Sequence, residues 1–398
     1  MPQVKKRVVQ INPSPKAAMA AYDSLYDPID AIRDIMDNSI DANATEIRVL
    51  LSPANLQHQS VLGDMDDSSP HLIKILDNGD GVANLIKSFQ IGGYTSHQTS
   101  DLGKFSVGLK SAAYHMGNLL RVVTKYRDED GVIKAEQGCI DFAHQVNKGV
   151  WEAFLEEPCQ QLLQLFDTYG YETGTLVIIE KLRKDTVGKR WKKCSGAQVA
   201  LKTTGNSNPL GRTFKYFLDK VDIYVNKYKI EPEDTLLDKK PATKTIFRGT
   251  ERFDGVSYAI RVNDVGPDRK ARSQPMAGFH YYRSNRYIGN LALGTFSGAD
   301  GGRNNHLRIE IRANGDFDKI VPPNFAKTTN TKDVDPSFVD HLLGSKAGVI
   351  IKNSCADRKK AEQEESRRKD EIRAAESYKE ETELLNFNLK QSKNLFDL

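Results

Sequence analysis

The sequence predicts an α+β chain, and three observations carry that assignment. An amphipathic helix is expected over residues 28–43. Short apolar strands are expected at 46–52, 72–77 and 174–180. A long charged helix is expected over 356–385. With 398 residues the chain can hold two domains plus an appendage and bury a sizeable core.

The first helix has a defined start. Asp27-Pro28 supplies an N-cap acceptor followed by proline at the first helical position. At about 100° per residue, Asp34, Asn38 and Asp41 fall within roughly 60° of one another. Ile32, Met36 and Ile40 point to the opposite side. One stripe therefore packs into a core, and the other offers a general base, a metal-binding amide and an acid. The same stripe also suits a solvated acidic face.

The strand at 72–77 ends in Asp77-x-Gly79-x-Gly81. A carboxylate there can accept an N–H from an amine on a flat ring, and glycines let backbone approach that ring. A calcium loop is excluded because position twelve from Asp77 is Ser88, not glutamate, and the turn glycine is misplaced. A plain hairpin turn remains open.

Residues 102–112, Leu-Gly-Lys-Phe-Ser-Val-Gly-Leu-Lys-Ser-Ala, bring a glycine loop into a helix starting near Val107. Backbone N–H groups at a helix start attract phosphate, and Lys104 and Lys110 add positive charge. Gly103 and Gly108 have P-loop separation, but Leu109 stands where that motif requires lysine. Further on, Gly174-Thr175 opens a β-branched, strongly apolar strand suited to the centre of a sheet. Thr175 can hydrogen-bond a buried water or a base edge.

In this order and spacing, the four elements resemble the GHKL ATPases of gyrase, heat-shock chaperones, histidine kinases and MutL. The resemblance spans roughly residues 15–185. The strings Asp-Asn-Ser-Ile-Asp-Ala and Val-Gly-Leu-Lys-Ser-Ala look like the MORC-like branch. So does the strand expected over Gly278–Ile288, with its aromatic-Arg-x-Asn-Arg core.

This resemblance implies a Bergerat-type two-layer α/β sandwich followed by a smaller, transducer-like α/β domain. It implies ATP and Mg2+ as ligands. Asn38 would hold the magnesium, Asp41 would join the nucleotide-binding set, and Asp77 would accept the adenine amino group. Gly79 and Gly81 would admit the base. Gly103, Gly108 and Lys110 would form the phosphate loop, and Thr175 would complete the adenine water network. Asp34 stands where the family has the glutamate that aligns the attacking water. Aspartate is one methylene shorter, so its reach falls by roughly 1.5 Å, and a misplacement of about 1 Å can cost on the order of a hundredfold in rate. Ser106 replaces a glycine found in many members. The phosphate-sensing lysine of the following domain corresponds best to Lys332, with Lys327 as the alternative.

The expected division is residues 1–185 for the ATP-binding domain, a basic junction at 186–213, the transducer-like domain at 214–352, and the charged helix and tail at 353–398. Met1–Pro15 is a candidate arm for exchange across a dimer. The net charge of +4, with 28% charged residues, hardly argues for nucleic acid overall. The densest local positive charge lies at Arg183, Lys184, Lys189, Arg190, Lys192 and Lys193. No apolar run reaches membrane length, and four scattered cysteines indicate neither a zinc site nor a disulfide framework. These features suit a cytoplasmic protein, or a nucleoid or nuclear one if it associates with DNA. The expected function is an ATPase that dimerises as a homodimer on ATP and acts on duplex DNA, with slow hydrolysis. An ATP-dependent chaperone and a non-hydrolysing dimerisation switch are the alternatives.

Overall fold

A computed structural model describes residues 14–23, 26–53, 70–90, 102, 108–202, 209–266, 278–291, 306–322 and 334–396. Helix α1 (Pro15–Asp23) precedes α2 (Pro28–Asp41). Asp27 caps α2 by accepting the Ile29 N–H at 2.8 Å. Asn43, at φ +59°, ends it two residues before the expected limit. Ile29, Ile32, Ile35 and Met36 bury its apolar side. The chain then forms β1 (Glu46–Pro53) and β2 (Pro70–Asp77), an antiparallel pair with Ile47 opposite Asp77.

Short helix α3 (Leu85–Phe89) follows, and α4 (Gly108–Met116) leads directly into β3 (Gly117–Arg127). Next come β4 (Ile133–Asp141), α5 (Phe142–Lys148), β5 (Phe154–Glu156), α6 (Gln160–Thr168) and β6 (Gly174–Leu182). Strand β6 lies between β3 and β2 and is buried from Gly174 to Ile179. This central position fits its β-branched run. Alternate residues serve opposite faces, as the strand period requires. Val177 and Ile179 meet α2 and α4, while Leu176 and Ile178 meet Leu165 and Phe166 of α6.

Helices α7 (Val187–Arg190), α8 (Cys194–Lys202) and α9 (Pro209–Thr213) also belong to this layer. Val187, Trp191, Ala197, Leu201 and Leu210 are buried in the same core as α2. Beyond them β7 (Asp222–Val225) pairs parallel with β1, and β8 (Tyr228–Lys229) ends the sheet. The strand order is β5-β4-β3-β6-β2-β1-β7-β8. The result is an α+β sandwich on a mixed, eight-stranded sheet, the Bergerat type. The expected boundary at 213/214 thus falls inside this layer, and residues 186–213 are not a bare junction. Apolar residues spaced among the lysines hold them to the core.

The second sheet begins at Lys244. Its strands are β9 (Lys244–Phe253), β10 (Val256–Asp264), β11 (Gly278–Arg283), β12 (Arg286–Leu291) and β13 (Leu307–Ala313), in the order β12-β11-β13-β10-β9. The strand expected over 278–288 is instead a hairpin. Ser284 and Asn285 have φ of +45° and +70°, the positive pair that a tight two-residue turn requires. A 3-10 turn (Gly315–Lys319), helix α10 (Pro336–Gly344) and the start of α11 (Lys346–Phe396) cover this sheet. Phe317, Phe338, Leu342, Ala347 and Ile351 close that core. From Asp370 to Glu383, α11 is exposed throughout. No helix among the described residues is long and apolar enough to cross a membrane.

Candidate nucleotide site

Of the expected site residues, Asp34, Asn38 and Asp41 lie on α2, and Asp77, Gly79 and Gly108 approach it or its C-cap. Asp77 is buried at the end of β2. Its Oδ2 accepts the Ser39 hydroxyl at 2.7 Å, and its Oδ1 accepts the Gly79 and Thr175 N–H groups at 3.0 and 3.1 Å. Burial raises the Asp77 carboxyl above its ordinary range, while these three donors act in the opposite direction. A carboxylate offers about four acceptor positions, so this arrangement leaves room for an amine. Asn38 precedes Ser39 on α2, and its side chain is exposed.

Asp34 is 1% exposed. The Tyr26 hydroxyl donates to its Oδ2 at 2.9 Å and lies 3.2 Å from the Ser111 hydroxyl. Burial raises the Tyr26 phenol far beyond its ordinary value, so it stays a donor. Gly108 opens α4 against the same carboxylate, where any Cβ would collide with Asp34. The acid therefore faces a helix N-terminus, the end that favours negative charge. Asp34 is thus no solvated surface acid.

Asp41 is exposed, and its Oδ1 accepts the Leu102 N–H at 3.0 Å. Lys110 is buried, with its ammonium turned to the backbone oxygens of Ser88 and Gln90 at 2.8 and 3.0 Å. Burial lowers it to about 8. In this arrangement Lys110 ties α4 to the end of α3. Gly81, at φ +76°, presses against the Lys125 carbonyl, and Gly79 presses against Ala42. Both glycines let the loop pack on its protein neighbours. Gly103, Lys104, Ser106, Lys327 and Lys332 lie outside the described residues, as does Met1–Pro13 of the expected arm.

Several contributors were not singled out from the sequence. Ser39 sits on the core side of α2, and a hydroxyl between apolar neighbours is the signal that could have flagged it. Thr124 accepts the Val82 N–H at 2.8 Å and donates to the Gly174 carbonyl at 3.2 Å, joining the Gly81 loop to β6. Tyr26 precedes its helix and carries no local signal.

Residues 26–170 match the family model described as histidine kinase-, DNA gyrase B- and HSP90-like ATPase. The match begins at Tyr26 and ends before Thr175. Over these residues the chain is similar to the GHKL ATPases. Over 195 residues it is 28% identical to the ATPase morc-1 of Caenorhabditis elegans. That stretch is 41% of this chain and 21% of the relative, so the chain matches about a fifth of that protein's length.

Proposed function

We propose that this chain binds Mg-ATP at the α2 face, hydrolyses it slowly, dimerises on binding, and acts on duplex DNA. The observation that carries the reading is the buried Asp77, held by Ser39, Gly79 and Thr175 and leaving acceptor capacity for an adenine amino group. Magnesium fits the exposed Asn38. An amide oxygen suits a hard cation that keeps most of its waters and takes few protein ligands. When bound, the ion supplies charge neutralisation at the phosphates.

This chain's own residues do the rest. Asp77 fixes the base, and Asp34 orients the attacking water. The water oxygen bonds to the γ-phosphorus as the bridge to the β-phosphate breaks. The electron pair leaves with ADP, and the water proton passes through the Asp34 carboxylate to the released phosphate. Tyr26 holds that carboxylate in one orientation. The short reach of Asp34 and its clamp between Tyr26 and Gly108 favour slow turnover.

Support for dimerisation and DNA action is of a different kind. It consists of the MORC-like sequence features and the exposed Lys184, Lys189, Lys192 and Lys193. Titration with Mg-ATP tests the binding reading. Asn38→Ala should remove magnesium-dependent ATP binding, and unchanged affinity in that variant rules out the metal assignment.

A further inference from the structure

The tip of the β11–β12 hairpin reaches the helix that carries the nucleotide residues. Arg283 and Arg286 flank its turn as a cross-strand pair. Arg283 Nε donates to Asp318 Oδ1 at 2.7 Å, within its own unit. Arg286 Nε donates to Asp37 Oδ1 at 2.8 Å, on α2. Arg286 is 3% exposed and Asp37 0%. A buried pair of this kind is often no more stabilising than well-packed apolar residues of the same size. Stability alone therefore gives little reason for an arginine here.

Position gives a better one. Asp37 adjoins Asn38 and lies one turn from Asp34, close enough for their side chains to be neighbours. The positive charge of Arg286 also acts on the Tyr26 phenol, against the effect of burial, and Tyr26 is the donor to Asp34. Next to this contact, Arg33 Nη1 bonds Asp30 at 2.7 Å and Nη2 bonds the Pro209 carbonyl at 3.0 Å. One side of α2 is thus fixed by ionic contacts, while the stripe roughly a quarter-turn away carries Asp34 and Asn38.

We infer that Arg286, acting through Asp37, is a positioning residue of the ATPase centre: the second sheet sets the placement of Asp34 and thereby the hydrolysis rate, without touching nucleotide. The inference rests on the ATP reading above. It is tested in the full chain by measuring kcat and the Kd for Mg-ATP in Arg286→Met, Arg286→Lys and the double variant Asp37→Leu with Arg286→Met.

Arg286→Met should lower kcat at least tenfold with Kd changed less than threefold, and Arg286→Lys should recover part of the loss. The double variant removes both charges, so it folds even where the single one does not. It should melt near the wild-type temperature yet stay at least tenfold slow. A double variant that turns over within threefold of wild type overturns the inference, because the pair is then only structural. A wild-type chain that binds no ATP overturns the nucleotide reading itself.

Discussion

Asp34 combines a short side chain with a crowded position. Tyr26 holds one oxygen, and Gly108 lies against the carboxylate with no space for a side chain of its own. If this acid aligns water, reach is what limits it. Asp34→Glu should then speed phosphate release, by up to the order of the hundredfold that a misplacement of about 1 Å costs. Asp34→Ala should stop release while leaving ATP affinity in place. Turnover untouched by alanine would assign the water to another group. Lys110 makes a separate prediction. Its folded value of about 8 lies below the ordinary 10.5. Above about pH 8 the folded protein sheds a proton that the unfolded chain still holds, so stability rises from there toward pH 10.5. Chemical denaturation across that window, compared with Lys110→Met, should show a slope in the wild type that the variant lacks.

At the scale of elements, legibility followed local signals. Helix α2 could be read because cap, proline and apolar period all lie within its own sequence. Strand β6 could be read because its branched run needs burial on both faces. The β3–β4 hairpin was legible but went unread: Asp130-Gly131 is a strong turn pair between its strands, and Gly131 has φ +79°. Helices α7 to α9 were read as a junction because their stretch is rich in Lys, Arg, Gly, Ser and Asn, although Trp191 and Leu201 are buried in the core. The Arg286–Asp37 contact joins positions 249 apart in the chain, and no spacing rule reaches that far. Exposed charge on these elements also bears on DNA. Arg190 already pairs with Asp27 at 3.3 Å, and Arg183 with Asp185 at 2.8 Å. Charge reversal at Lys189, Arg190 and Lys192 should weaken duplex binding irrespective of sequence and flatten its salt dependence by about one unit of slope per lost phosphate contact. Filter-binding titrations at several salt concentrations would show it. Binding that ignores the reversal removes the local support for a DNA partner.

Across the whole molecule, two sheets with separate cores meet through α2, α9 and the β11–β12 hairpin. Lys215 and the buried Glu310 add a second ionic link at 3.1 Å. A nucleotide that shifts α2 therefore acts on both halves at once. Ligand energy spent on one arrangement appears as a change in population between arrangements. Light scattering should give a dimer with ATP or a non-hydrolysable analogue and a monomer with ADP. The same mass in all three solutions would remove the switch.

The late return of β7 to the edge of β1 has a practical corollary. Cutting the polypeptide after residue 185, where the nucleotide motifs run out, would strip a neighbour from β1 and leave Ile47 and Val49 without the cover of Ile223 and Val225. A bare strand edge of this sort recruits other chains, so such a fragment should precipitate. A piece carried through to about residue 240 would keep its margin sealed.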